Sequence, residues 1–347
     1  MSIPIDNIYY LLCYAWNKLR EKEKVKVDAE SRNSLPDLFA RLMIQGTRVL
    51  LKRGIDRYYV DETNDYIGVK GKLEMGLTLK SRAWMQQRCV CSFDEFSDNI
   101  LLNRIIVSTL FRLLGLKELE RQIRTQIKDL IRMFSGIKPI ELNHRLFKDI
   151  HLHRNNRAYG FLIHVCRIIY ENTLPTERKG DWIFMDFTRD EKQMNILFEA
   201  FLLNFYKHHF PEWKVCSEYL DWQFFVPNDE HNKYLPRMKT DISITAKDRR
   251  IIMDAKYYRQ TLSKHFEKFS IHSDNLYQLF SYLMNQQEGD LRNGSSTGIL
   301  LYPTVDEEFN LCYRYQNHLI HIKTLNLNVH WMKVEERLKQ IVSEAIV

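Results

Sequence analysis

The stretch of residues 237–256 constrains the fold of this chain most, because it has the pattern of two strands joined by a tight turn. Polar and apolar side chains alternate over residues 241–245 and again over residues 250–256. A period of two residues is typical of half-buried strands. Residues 246–249 fit the turn, since four-residue loops are common hairpin connections. The sequence therefore predicts a β-hairpin.

The register of this hairpin places two carboxylates opposite each other. If Thr245 lies opposite Arg250, then Asp241 lies opposite Asp254, with Cβ atoms about 4.5–5.5 Å apart. Like charges at that distance destabilise a sheet, which indicates a cation between them. Lys256 points to the same face, because it follows Asp254 by two residues. Two carboxylates and an ammonium suit a Mg²⁺ site that waters and a substrate phosphate complete. A slip of one residue in the register would move one set to the other face.

Composition and length bound the class of protein. The 347 residues allow two or three domains, and 45% hydrophobic with 27% charged residues is ordinary for a globular protein. No apolar run approaches the roughly 18 residues of a membrane span, and no secretory signal is apparent. The six cysteines are scattered, which indicates reduced thiols and a cytoplasmic protein. The net charge of +7 permits contact with nucleic acid without establishing it.

The order of predicted elements divides the chain into three parts. Residues 1–155 combine helices with a basic, β-rich segment at 53–93, which predicts a mixed α+β domain without a catalytic constellation. Residues 156–190 predict a connecting helix and loop. Residues 191–347 alternate helices and strands, which predicts an α/β core with a mixed sheet flanked by helices.

Two features of the first part have two interpretations each. The aromatic helix predicted near residues 7–16 is either a buried core helix, which we favour, or a docking face. The basic residues 70–82 form either the surface of a β-hairpin, which the spacing favours, or an arm that meets an acidic partner or the DNA backbone. Gly71-Lys72 is not a phosphate loop, because Leu73 replaces the Ser or Thr that would hold Mg²⁺.

Three elements in a fixed order resemble the PD-(D/E)xK nuclease superfamily. They are Asp241, then Asp254-Ala-Lys256 on the next strand, then Gln278-x-x-x-Tyr282 on the following helix. The last element resembles the RecB-type branch of that superfamily.

Further motifs along nearly the whole chain resemble the McrC family. They are Asn7–Trp16, Gly68–Lys72, Phe93–Glu95 leading into Asn103–Ile105, Leu235–Ile242, Asp254–Tyr258 and Asn275–Leu279. McrC proteins are nuclease subunits of McrBC-type modification-dependent restriction systems. The resemblance implies an McrB-like AAA+ GTPase hexamer as partner, which binds the GTP and is stimulated by the N-terminal half of the chain. It also implies double-stranded DNA with modified, methylcytosine-type bases as substrate.

The chemistry that the resemblance implies is Mg²⁺-dependent phosphodiester hydrolysis. Asp241 and Asp254 would hold the metal, with the carbonyl of Ala255 as a further ligand. Lys256 would orient or deprotonate the attacking water, or stabilise the pentacovalent phosphate.

Three helix residues extend the expected site. Gln278 and Tyr282 lie four residues apart on one helix face and would position DNA or the water. Glu199 is either a further carboxylate ligand from the preceding helix or an exposed helix glutamate.

Three alternatives stay open. The chain is chiefly an assembly factor and GTPase activator, or it is a stand-alone RecB-like exonuclease that needs neither partner nor GTP. In the third alternative the hairpin carries only a surface Asp–Lys ion pair, which is worth little. That alternative explains neither the facing carboxylates nor the helix element.

Overall fold

A computed structural model describes residues 3–16, 34–150, 152, 156–178, 180–224, 229–246, 249–258, 263–265, 268–270, 272–286, 296–304 and 308–346. The chain forms two compact units. We call residues Asn33–Met185 the helical unit, and Met1–Arg32 together with Asp186–Val347 the sheet unit. No described helix is both long enough and apolar enough to cross a membrane.

The helical unit packs its longer helices against one another, and it also contains a small antiparallel sheet. Its helices are α2 (Leu35–Arg53), α3 (Met75–Lys80), α4 (Leu101–Leu114), α5 (Arg121–Met133), α6 (His144–Lys148) and α7 (Arg157–Glu171), with a 3₁₀ turn at Ala83–Gln86. Its strands are β1 (Tyr58–Tyr66), β2 (Lys72–Leu73), β3 (Cys89–Ser97), β4 (Thr173–Pro175) and β5 (Trp182–Phe184). The sheet has the order β1-β3-β2, and β4 pairs with β5. The segment predicted to be β-rich at 53–93 contains three strands, but residues 75–80 within it are helical, so the interpretation of residues 70–82 as the surface of a β-hairpin is wrong.

The sheet unit contains six strands in one mixed sheet. Its helices are α1 (Ile5–Ala15), α8 (Glu191–His209), α9 (Ser273–Met284) and α10 (Trp331–Ile346), with 3₁₀ turns at Phe187–Arg189 and Asp229–Tyr234. Its strands are β6 (Lys214–Cys216), β7 (Tyr219–Leu220), β8 (Met238–Lys239), β9 (Ile242–Ala246), β10 (Arg249–Ala255), β11 (Ser263–His265), β12 (Lys268–Ser270), β13 (Thr297–Thr304), β14 (Asn310–Tyr315) and β15 (His318–Asn326).

The predicted mixed sheet is confirmed. The strand order is β14-β15-β13-β10-β9-β6, while β7 pairs with β8 and β11 with β12. The pairs β10–β13 and β13–β15 are parallel, and the other pairs of the large sheet are antiparallel. The face of β10 that carries Ile252 packs on α9, in a core cluster with Leu279 and Leu283.

The predicted hairpin is formed by β9 and β10, and its register is confirmed. Thr245 lies opposite Arg250, and Ile242 lies opposite Met253. The four-residue turn is wrong, because Ala246 already pairs with Arg249. The connection is therefore residues 247–248, which lie outside the described part of the chain. The strands are also not half-buried: β10 is buried on both faces, because α8, α9 and α10 all pack on it.

The two units divide the chain differently from the boundaries predicted at 155/156 and 190/191, because α1 belongs to the sheet unit and α7, β4 and β5 belong to the helical unit. Asn7, in the first turn of α1, donates hydrogen bonds of 2.8 Å to the carbonyls of Leu327 and Val329. Tyr14 is fully buried against Phe205 of α8. These contacts confirm the core interpretation of the aromatic helix.

Candidate active site

The hairpin brings the three predicted charged residues together. Asp241 directly precedes β9, and Asp254 is the penultimate residue of β10. Lys256 Nζ lies 2.9 Å from Asp254 Oδ1 and 3.6 Å from Asp241 Oδ2. The backbone N–H of Ala255 donates to Asp241 Oδ2 at 3.0 Å and fixes the orientation of that carboxylate. The cation expected between the facing carboxylates is the ammonium of Lys256.

Burial dominates the electrostatics of this cluster. Asp254 is 0% exposed, and burial, followed by the charge of Asp241, raises the pKa of Asp254 to about 7. Burial alone would lower the pKa of Lys256, but the two adjacent carboxylates outweigh it and raise that pKa above its ordinary value. The lysine therefore stays protonated, while Asp254 ionises only near neutral pH.

Glu199 belongs to the electrostatic surroundings of the cluster. Burial, and then the charge of Asp241, raises the pKa of Glu199 to about 7. Asn195, one turn earlier on α8, donates a hydrogen bond to the Glu199 carboxylate. The Asn195 side chain also accepts a hydrogen bond of 2.8 Å from the backbone N–H of Tyr257, the residue directly after Lys256. Glu199 is thus half-buried rather than an exposed helix glutamate, and Asn195 ties it to the end of β10.

Gln278 and Tyr282 contact each other on α9, as their spacing predicts. Gln278 Nε2 donates to the Tyr282 hydroxyl at 2.6 Å, and that hydroxyl donates to the carbonyl of Lys239 at 2.7 Å. Burial raises the pKa of Tyr282, with smaller contributions from Asp254 and Asp241. Since Lys239 lies two residues before Asp241, the tyrosine holds the backbone that leads into the carboxylate cluster.

Asn195 is the residue that the sequence analysis missed. The available signal was its position four residues before Glu199, because residues i and i+4 are neighbours on a helix surface. Its second contact, to the backbone of Tyr257, joins segments 62 residues apart and has no local signal.

The donor set of the cluster fits a hard divalent cation. Asp254 Oδ2 is buried without a hydrogen-bond partner, and a buried acceptor in that state is costly. Mg²⁺ is usually bound by one or two carboxylates, with waters and substrate phosphate as the other ligands. In the described part of the chain no three His, Cys, Asp or Glu side chains are arranged to hold a metal. Glu199 is therefore not part of a preformed three-carboxylate set, and the carbonyl of Ala255 stays a predicted ligand.

Two comparisons with known proteins match most or nearly all of the chain to McrBC restriction systems. The family profile described as McrBC 5-methylcytosine restriction system component matches residues 6–303. A curated protein of Escherichia coli (strain K12), the type IV methyl-directed restriction enzyme EcoKMcrBC, is 34% identical over 343 residues, which cover 99% of this chain and 98% of that protein.

A solved structure has a similar fold. It is the refined half-complex from a tetradecameric assembly of Thermococcus gammatolerans McrB AAA+ hexamers with bound McrC. The match has a TM-score of 0.55 and 18% identity, and it covers 99% of this chain and 76% of the solved chain. At that identity the likeness concerns the fold alone.

Proposed function

This chain belongs to the family of McrBC 5-methylcytosine restriction system components, and we propose that it is the Mg²⁺-dependent DNA endonuclease subunit of a GTP-driven restriction complex. We assign the sheet unit to the PD-(D/E)xK type. The observation that carries the proposal is the buried cluster of Asp241, Asp254 and Lys256, which has an unsatisfied carboxylate oxygen at the end of a central strand.

The proposed chemistry assigns a role to each charged group. Asp241 and Asp254 would hold Mg²⁺, which when bound polarises a phosphoryl oxygen and lowers the pKa of a coordinated water. A lysine with a raised pKa is a poor general base, because it would have to lose its proton beside two carboxylates. Lys256 therefore suits the orientation of the water and the stabilisation of negative charge on the phosphate.

The helix residues support this centre in the proposal. Tyr282 positions the backbone before Asp241. The side-chain amide of Gln278, on the same side of the helix, fixes the tyrosine hydroxyl. Glu199 would add a carboxylate once a cation draws it in. Because its pKa is raised to about 7, Glu199 is partly protonated near neutral pH, and a cation would have to displace that proton.

A second function is proposed for the helical unit, namely binding and stimulation of an McrB-like AAA+ GTPase hexamer. Large apolar side chains are exposed between residues 67 and 85, with Ile67 83% exposed. They are Ile67, Val69, Met75, Leu77, Leu79, Trp84 and Met85. Exposed apolar clusters of this kind mark interaction sites. In the complex the partner would bind the GTP and select double-stranded DNA with modified bases.

The decisive experiment mixes the full chain with the neighbouring AAA+ subunit, GTP, Mg²⁺ and methylated DNA. Lys256→Ala is expected to abolish cleavage and to leave the stimulated GTPase rate unchanged. The matched control is Lys333→Ala, which removes an exposed lysine of α10 in the same unit. Cleavage by Lys256→Ala would refute the assigned centre.

Two further arms separate the alternatives. Cleavage by the wild-type chain with Mg²⁺ alone would favour a stand-alone exonuclease. Full GTPase stimulation, with no cleavage by the wild type on any methylated DNA, would favour an assembly factor. Under the proposal, cleavage requires partner, GTP and Mg²⁺ together.

A further inference from the structure

A short ribbon beside the candidate active site collects aromatic and cationic side chains. The ribbon consists of β7 and β8, and Tyr219 pairs with Lys239 across it. The Tyr219 ring is 61% exposed. The guanidinium carbon of Arg237 lies 5.7 Å from the centroid of that ring, and the ammonium of Lys239 lies 5.9 Å from it.

More aromatic surface flanks the ribbon. Phe224 is 57% exposed and stacks on Trp222, with ring centroids 5.0 Å apart and an interplanar angle of 20°. The Trp222 indole N–H donates to the carbonyl of Pro236 at 2.7 Å, which fixes the stack beside β8. Tyr234 is 77% exposed at the end of a 3₁₀ turn. We call Tyr219, Trp222, Phe224, Arg237 and Lys239 the ribbon platform.

The two cations of the ribbon platform are available for an anionic ligand. Among the described side chains, no carboxylate forms an ion pair with Arg237 or Lys239. The neighbouring Glu218 is engaged by Arg250 at 2.7 Å, which leaves Asp221 as the exposed acid of this segment. Exposed aromatic rings beside cations that form no ion pair are the combination with which proteins bind nucleic acid strands.

The ribbon platform is joined directly to the catalytic cluster. Lys239 lies two residues before Asp241, and two extended residues span at most about 7 Å. The carbonyl of Lys239 accepts the hydroxyl of Tyr282. The charge of Lys239 also acts on Glu199 of α8. A ligand on the platform would therefore lie next to the atoms that hold the scissile phosphate.

We propose that the ribbon platform binds nucleotides that are unstacked from the duplex next to the cleavage position. Tyr219 and Phe224 would stack on base faces, while Arg237 and Lys239 would contact backbone phosphates. The identity of the polyanion rests on the proposed nuclease function. The reason for unstacked bases is steric, since a continuous duplex covers each base face with its neighbour. A protein that only held duplex would use cations at the backbone and gain nothing from exposed rings.

The proposal implies a substrate class: DNA that is locally opened at the cut. Stacking on an aromatic ring is tolerant of base identity, so the platform would add no sequence preference. The platform would instead make the active site select locally opened DNA over a continuous duplex.

The test measures binding by the full chain in EDTA, so that cleavage plays no part. Labelled DNA probes of one sequence are compared as a continuous duplex, as a duplex with a short unpaired bubble, and as a single strand. Wild type is expected to bind bubble and single strand about tenfold more tightly than duplex. A fluorescent purine analogue placed in the bubble should be quenched on binding.

Variants separate stacking from charge. Tyr219→Ala is expected to lose most of the preference for bubble, and Tyr219→Phe to keep it. Arg237→Gln should lower the affinity for all three probes alike. It should also reduce by about one the slope of log affinity against log salt concentration. The matched control, Tyr313→Ala, removes another exposed tyrosine, on β14 of the same unit, and should change nothing.

The proposal is overturned if wild type binds duplex and bubble equally, or if Tyr219→Ala keeps the preference. Its failure is distinct from failure of the proposed function, because binding is read without metal, partner or GTP. Cleavage that depends on Lys256, together with equal binding of all probes, would reject the ribbon platform and retain the nuclease.

Discussion

Asp254→Asn should stabilise the metal-free protein at about pH 8 while removing cleavage. The carboxylate of Asp254 is fully buried and has one oxygen without a partner. The substitution keeps the shape of the side chain and removes the buried charge. If the site is built to receive a cation, the buried charge destabilises the wild type when that cation is absent, and the variant avoids this loss of stability.

The size of this effect follows from the pKa of Asp254. A rise from the ordinary value of 3.8 to about 7 corresponds to about 4 kcal/mol against the ionised form. The contact with Lys256 is already contained in that pKa, because the ammonium lowers it. The amide N–H group of the variant would be buried where Asp254 Oδ2 has no hydrogen-bond partner, and allowing about 2 kcal/mol for it leaves a net stabilisation of about 2 kcal/mol.

The sign of the pH dependence follows from the direction of the shift. Because the folded-state pKa of Asp254 is raised, its contribution to stability is fully present below the unfolded pKa and is lost as pH rises through about 7. The advantage of the variant should therefore be absent near pH 4 and complete near pH 8. Mg²⁺ should reverse it, since only the wild type gains binding energy from the metal.

The assay is thermal unfolding of both proteins at several pH values, in EDTA and in excess Mg²⁺. For a unit of about 150–250 residues, 2 kcal/mol shifts Tm by roughly 4–8 °C. A variant that is less stable than wild type by the same amount at every pH would refute the reasoning. So would equal stabilisation of both proteins by Mg²⁺.

Two further predictions concern positions that hold the site and the fold. Tyr282→Phe removes the hydroxyl that donates to the carbonyl of Lys239, so it should cost about 1–2 kcal/mol of stability and slow cleavage; unfolding and single-turnover cleavage measure the two effects. Gly115→Ala should lower the stability of the helical unit by about 2 kcal/mol or more, because the new Cβ would lie 2.2 Å from the carbonyl oxygen of Gly180. Its control in thermal unfolding is Gly76→Ala, whose Cβ meets nothing within 4 Å and should be neutral or stabilising.

The hairpin shows which structural features a local sequence pattern can predict. Its register followed from one assumed pair, because every cross-strand pair shares the same sum of residue numbers. Burial on both faces did not follow, since the helices that pack on β10, namely α8, α9 and α10, lie outside the hairpin in the sequence. A signal for it was nevertheless present: Ile251, Ile252 and Met253 form a continuous apolar run, which is typical of strands covered on both sides.

The first helix shows where local patterns stop. Its apolar and aromatic composition predicted burial correctly, but not the partner against which it is buried. Asn7 binds carbonyls that lie 320 and 322 residues away, and no feature of residues 5–15 identifies them. Membership in the sheet unit is therefore a property of the tertiary contacts, whereas membership in a core is a property of the sequence.

In the proposed mechanism the charge of the cluster would link metal and DNA binding. Two ionised aspartates and one protonated lysine carry one net negative charge, and a bound Mg²⁺ would convert it to one net positive charge. A phosphodiester would then return the cluster to neutrality. Since Asp254 is fully buried, the electrostatic cost is lowest when cation and phosphate are both present. Each ligand should therefore raise the affinity of the other, and a partner that delivers DNA to this site would also promote the binding of its metal.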